Sequence, residues 1–122
     1  MTSIAIIGAS VDRSKFGNKA VRAYKSKGFE VFPINPKEKT IEGLPAYPSI
    51  LKVPKKPDMA SLYLPPSIGI QVLEEVAKAG VKKIYINPGA DSPELIAKAK
   101  GLGLEPLMTC SILAIGIHPD NL

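Results

Sequence analysis

Gly8-Ala9-Ser10, followed after six intervening residues by Gly17 at the start of a helical pattern, is the most informative segment of the chain. A tight apolar run, Ser3 to Gly8, leads into it. A buried strand ending in such a turn gathers backbone N–H groups and a helix N-terminus around one point, and that point attracts phosphate. Gly8 lets backbone approach a ligand, Ser10 adds a hydroxyl donor, and Arg13 and Lys15 add positive charge. The spacing is not the dinucleotide fingerprint G-x-G-x-x-G, so a different phosphate ligand is expected. A turn that serves only helix–sheet packing is the plain alternative.

Three further loops are expected to meet this one. Pro33-Ile34-Asn35-Pro36-Lys37 ends the second strand, where NAD-binding domains carry an acid for the ribose diol. Glu30 stands too early in that strand and Glu38 follows Lys37, so a cation takes the place of the acid. That suits a phosphorylated ribose, in NADP or in coenzyme A. A surface turn with a solvated lysine is the alternative. Leu64-Pro65-Pro66 forms a rigid, donor-poor wall before a helix, suited to an adenine ring or a pantetheine arm. Asn87-Pro88-Gly89-Ala90 lies opposite, within reach of a diphosphate or pantetheine.

The elements that would position these loops alternate along the chain. Apolar runs predict strands near Ser3–Ile7, Glu30–Ile34, Met59–Leu64, Lys83–Ile86 and Glu105–Met108. Helical spacing predicts helices near Asn18–Lys27, Ser67–Ala79 and Pro93–Leu102. Gly28, Gly80 and Gly103 end them, and Ser92-Pro93 reads as an N-cap and first helical residue. Pro45, Pro48 and Pro54 leave room only for a short helix near Ser49–Val53 in the second connection. Such alternation means βαβ units and an α/β three-layer sandwich around a five-stranded parallel sheet. The expected strand order is 3-2-1-4-5, with the switch point between strands 1 and 4.

Bulk composition narrows the function classes. At 122 residues the chain reads as one domain, 1–122, large enough to bury a core without disulfides or metals. No apolar stretch reaches the ~20 residues of a membrane span, and no basic leader precedes the first strand, so neither membrane nor signal peptide is expected. The net charge of +5 comes from 14 lysines and 2 arginines. They are scattered, without the arginine–aromatic clusters of nucleic-acid binders, so no nucleic-acid partner is expected. Lys55-Lys56 and Lys82-Lys83 precede strands, at the sheet end opposite the crevice. One cysteine excludes an internal disulfide and fits a cytoplasmic protein.

Read in order, the motifs resemble a known family. Ile6-Ile7-Gly8-Ala9-Ser10, Gly17-Asn18, Gly28-Phe29-Glu30-Val31, Pro33-Ile34-Asn35-Pro36, Ile41-Glu42-Gly43, Pro65-Pro66, Asn87-Pro88-Gly89 and Cys110-Ser111-Ile112 are similar to the small stand-alone CoA-binding proteins. These share the Rossmann-like N-terminal domain of the succinyl-CoA synthetase alpha subunit. The resemblance implies coenzyme A or an acyl-CoA as ligand, with Ser10, Lys37 and Pro66 in contact with it. One departure is the apolar Leu113-Ala114-Ile115, where relatives often carry a polar or basic residue. The full set of expected contacts is Gly8, Ala9, Ser10, Arg13, Lys15, Gly17, Asn35, Pro36, Lys37, Leu64, Pro65, Pro66, Pro88 and Gly89.

No catalytic set accompanies these loops. His118 is the single histidine and has no Cys or carboxylate set around it for a metal. The phosphorylated histidine of the synthetases belongs to a separate domain, so ligase activity by this chain alone is not expected. Cys110 reads as a buried structural thiol, with a mixed disulfide to the CoA thiol as the reactive alternative. Asp12 and Asp91 read as capping or solvated acids. The expected role is a non-catalytic or regulatory CoA-binding domain. An NADP-dependent oxidoreductase-like domain and a ligand-free interaction module stand as alternatives. A homo-oligomer and a separate protein partner are both compatible with the chain.

Overall fold

The computed structural model describes residues Met1–Leu122. Two strands and a helix open the chain: β1 (Ser3–Ile7), α1 (Phe16–Ser26) and β2 (Glu30–Ile34). A two-stranded hairpin follows, β3 (Thr40–Ile41) with β4 (Leu44–Pro45), and a 3-10 turn at Ile50–Lys52 is capped by Ser49, whose Oγ accepts from Leu51 N–H at 3.1 Å. Then come β5 (Met59–Leu62), α2 (Pro66–Lys78), β6 (Lys83–Ile86), α3 (Pro93–Gly101) and β7 (Glu105–Leu107). Ser92 caps α3 through Leu95 N–H at 3.1 Å with Pro93 as its first residue, as expected. Gly28, Gly80 and Gly103 all adopt the left-handed conformation at the helix ends. No helix is long and apolar enough to cross a membrane.

β1 is buried along its whole length, as a strand covered on both faces must be. Its side chains alternate. Ile4 and Ile6 pack against Ala20, Val21 and Tyr24 of α1 and against Ile112 from the C-terminal segment. Ala5 and Ile7 join Leu73 and Val76 of α2 and Leu95 and Ala99 of α3. One sheet thus separates two apolar cores, and the fold is Rossmann-like α/β.

The five-stranded parallel sheet runs β2-β1-β5-β6-β7. Counting only its own strands, the order is 2-1-3-4-5, which corrects the expected 3-2-1-4-5. Met59–Leu62 pairs directly with β1, from Ile4↔Met59 to Ile7↔Leu62, and does not add outside β2. The reason lies at β2's outer edge. There the connection turns back, with Tyr47 N–H donating to Pro33 O and Asn35 N–H donating to Tyr47 O, both at 2.9 Å. Pro33 faces that edge and has no N–H to offer a further strand, a position suited to the rim of a sheet. The switch point therefore lies between β1 and β5, and the ligand crevice opens there.

Candidate functional site

Two glycines bring β1, β5 and α1 to one point. Gly8 has φ +91°, and a Cβ on it would sit 2.6 Å from the Tyr63 carbonyl oxygen. A Cβ on Gly17 would sit 2.2 Å from the Gly8 carbonyl oxygen. Glycine at both positions therefore answers to close backbone packing. The consequence is a loop pressed against a helix start. The N–H groups of Ala9, Ser10, Phe16 and Gly17 donate to no protein acceptor. Lys15 at the N-cap makes no side-chain cap, and the first turn of α1 holds no acid. Free amides and an unneutralised helix dipole are the chemistry that suits an anion. Ser10 Oγ accepts from Asp12 N–H at 3.0 Å, which leaves its hydrogen free to donate into the cleft. Asp12 accepts from both the hydroxyl and the N–H of Ser14, and these bonds hold its carboxyl below the usual carboxylate range. It is a capping acid, as expected.

The second loop is tied to the first. Asn35 Nδ2 donates to Ala9 O at 2.9 Å, and its Oδ1 accepts from Lys37 N–H at 2.8 Å and Glu38 N–H at 3.2 Å. Its amide is spent largely on scaffolding. Buried Asn18 does the same from α1, donating to Ser10 O at 2.9 Å and to Glu42 Oε2 at 3.0 Å. Glu42 sits at φ +51° in the β3–β4 turn and also meets Arg13 at 3.5 Å. The hairpin thus delivers a carboxylate that braces the Gly8–Gly17 loop through Asn18 and engages Arg13.

Across the switch point, a buried polar network anchors the C-terminal segment. Asn87 Nδ2 donates to Ser61 Oγ and Leu62 O, both at 2.8 Å, and its Oδ1 accepts from Ser111 N–H at 2.8 Å. Ser111 Oγ lies 2.7 Å from Ser61 Oγ and 2.8 Å from Tyr63 Oη, while Tyr24 Oη donates to Ser111 O at 2.7 Å. Every member is paired, as buried polar groups must be. Burial pushes the Tyr63 phenol up to about 12, so it stays protonated at the cleft wall. Gly89 N–H donates to Asp91 Oδ1 at 3.2 Å, closing the fourth loop.

These loops enclose a cleft of about 1010 Å³. The structure brings Gly8, Ala9, Ser10, Lys15 and Gly17 into its lining, with Asn35 and Pro36 from the second loop, Leu64 and Pro65 from the third, and Pro88 and Gly89 from the fourth. Arg13, Lys37 and Pro66 lie outside the lining. Arg13 is paired to Glu42, Lys37 is exposed on its loop, and Pro66 is the first residue of α2. Half-buried Cys110 lines the cleft. Sequence reasoning missed Phe16 and Tyr63, the Pro48-Ser49-Ile50 wall, and Ile68, Val72 and Glu75 of α2. The last three stand at i, i+4 and i+7 behind Pro65, a helical spacing that points one face at the crevice. No cluster of three or more His, Cys, Asp or Glu is placed to hold a metal.

The family model described as a CoA binding domain matches residues 2–116. The ADP-forming acetate–CoA ligase I of Archaeoglobus fulgidus is 31% identical over 112 residues, covering 84% of this chain and 16% of that protein. The ADP-forming acetate–CoA ligase of Methanocaldococcus jannaschii is 40% identical over 84 residues, covering 69% of this chain and 12% of that protein. The chain spans between 12% and 20% of the length of these and similar curated ligases. Among solved structures, a conserved hypothetical protein from Pyrococcus furiosus has a TM-score of 0.86 at 38% identity, covering 93% of this chain and 99% of that one. The dinucleotide-forming acetyl-coenzyme A synthetase 1 of Ca. Korarchaeum cryptofilum, in complex with phosphate and ADP, has a TM-score of 0.79 at 33% identity, covering 88% of this chain and 25% of that one.

Proposed function

The chain belongs to the CoA-binding domain family, and from that premise we propose that its cleft holds coenzyme A or an acyl-CoA as a ligand, without itself catalysing a reaction. The observation that carries the reading is the set of free N–H groups at Ala9, Ser10, Phe16 and Gly17 beside Lys15. That set suits the diphosphate, with Ser10 adding a hydroxyl donor. The ribose then falls at the end of β2, where Asn35 and Pro36 form the wall and exposed Lys37 supplies charge for the ribose phosphate. Leu64 and Pro65 flank the adenosine half, and Pro88 and Gly89 flank the pantetheine.

The non-catalytic part of the proposal is supported by the chemistry of the lining. Its titratable side chains are Lys15, Tyr63, Glu75 and Cys110. Glu75 is hydrogen-bonded to Ser49 and Tyr63 to Ser111. His118 stands outside the lining, beside Asp120 at 3.5 Å. The role that fits is a binding unit acting on its own or beside a catalytic partner chain, with the lone cysteine in keeping with a cytoplasmic setting. Titration calorimetry with CoA, NAD and NADP tests the assignment. CoA is expected to bind at micromolar Kd or tighter and ahead of both dinucleotides. Equal or tighter binding of NAD overturns it, because no acid stands at the end of β2 for a ribose diol.

A further inference from the structure

The cleft is electrostatically asymmetric. At one end stand the free N–H groups of Ala9, Ser10, Phe16 and Gly17, the Ser10 hydroxyl and Lys15. The opposite end is apolar, walled by Ile34, Ile50, Leu64, Ile68 and Val72, and it closes on a single carboxylate, Glu75. Glu75 follows Ile68 and Val72 along one face of α2, and it is only partly buried. Ser49 Oγ accepts from Leu51 N–H and so uses its own hydrogen to donate to Glu75 Oε1, a short contact that fixes the carboxylate's orientation. None of the four ion pairs includes Glu75, and no protein donor reaches its Oε2. A carboxylate without a cation at the far end of an anion-binding cleft repels phosphate. What it accommodates is a neutral hydrogen-bond donor carried by a flat apolar group.

We propose that Glu75, oriented by Ser49, reads the exocyclic amine of the adenine base. The inference rests on the CoA reading and deepens it. With the diphosphate on the start of α1 and the ribose at the end of β2, the base extends away from α1 into the apolar slot. The amine donates to Glu75 Oε2, the acceptor that the fold leaves open. Glu75 is then a specificity-determining residue: a base without a donor there leaves a partly buried carboxylate unpaired, and such sites discriminate strongly.

The test measures a ratio of affinities, which a merely structural role of Glu75 would not move. CoA and an analogue carrying purine in place of adenine, identical except for the missing amine, are titrated into the wild-type protein and into Glu75→Met. Wild type is expected to favour CoA by about 10- to 100-fold, the usual worth of a hydrogen bond to a charged group. Glu75→Met keeps the side-chain volume and is expected to bring the ratio near one. Glu75→Gln keeps a partner for Ser49 and serves if the methionine variant does not fold; there the ratio is expected to drop several-fold. Equal binding of both ligands by wild type, or an undiminished ratio in the variants, overturns the proposal while leaving CoA binding intact. Failure of CoA itself to bind wild type overturns the functional reading, and this inference falls with it.

Discussion

The two ends of the same parallel sheet are finished in opposite ways. At the amino ends, Ser3 and Asp58 close a reciprocal set: Ser3 N–H and hydroxyl donate to Asp58 Oδ2 at 2.8 and 3.1 Å, and Asp58 N–H donates back to Ser3 Oγ at 3.0 Å. Glu30 pairs with Lys55 beside them, and the neighbouring strand starts are stitched by Glu30 N–H to Thr2 O and Glu105 N–H to Lys82 O. At the carboxyl ends, N–H groups at Ala9, Ser10, Phe16 and Gly17 are left without protein acceptors, although the side chains of Asn18 and Asn35 brace the same loop. An end whose side chains and strand starts are bonded to one another contributes to stability. An end that spends its side chains on holding unsatisfied donors in place is prepared for something from outside.

The comparison predicts that stability and binding separate by sheet end, except where backbone packing joins them. Gly17→Ala is expected to have the largest effect. Its Cβ would lie 2.2 Å from the Gly8 carbonyl, against backbone that cannot swing aside. Overpacking of this kind costs roughly 1–3 kcal/mol. Denaturant unfolding should show that loss, and CoA titration should show weakened binding, because the helix start must move off the loop.

Asp58→Asn is expected to lower stability while leaving CoA affinity unchanged. The Ser3 N–H and hydroxyl hold the Asp58 carboxyl below its ordinary value of 3.8. A carboxyl lowered on folding stabilises above its unfolded pKa, and that contribution is lost as pH falls through the folded value. The wild-type advantage over Asp58→Asn should therefore be full at neutral pH and shrink as pH drops below about 4, as read by urea midpoints across pH. A change in CoA affinity would break the separation between the two ends.

Ser10→Ala should do the reverse. One lost hydrogen bond to a charged oxygen weakens CoA binding by ~1–2 kcal/mol. Stability should stay within about 0.5 kcal/mol, because the side chain lies at the cleft and braces only one exposed N–H. Calorimetry and thermal unfolding on one preparation check both halves.

The smallest effect belongs to Lys37, exposed on its loop and outside the cleft lining. Lys37→Ala should cost CoA ~0.2–1 kcal/mol, as for an exposed charge pair. Dephospho-CoA, which lacks the ribose phosphate, should be unaffected, and a thermodynamic cycle over the two ligands isolates the interaction. Equal losses for both ligands would remove Lys37 from phosphate recognition.

The turn from β1 into α1 was legible because its signal is local. An apolar strand, two glycines and a helix start are contiguous, and each strand and helix likewise lies in one short periodic stretch. Strand order was not legible in the same way, since it depends on which sheet edge remains open. Pro33 carried the clue: a residue without an N–H in mid-strand marks β2 as the rim, and Tyr47 occupies that rim by pairing with Pro33 O and Asn35 N–H. The pairing of Arg13 with Glu42 was not legible, because Glu42 arrives from a hairpin far along the chain. Glu75 drew no reading from the sequence, because only its register against Ile68 and Val72 sets it into the cleft. Residues whose role depends on tertiary neighbours escape a local reading.

The central claim, that the open carboxyl end receives CoA while the closed amino end only stabilises, is tested most directly by an amide NMR titration of the labelled protein with CoA. The largest shifts are expected at the N–H groups of Ala9, Ser10, Phe16 and Gly17, smaller ones along Asn35 and Leu64, and none at Ser3, Asp58 or Lys83. Shifts centred on the amino ends of the strands, or a titration that leaves the Gly8–Gly17 loop unmoved, would contradict it.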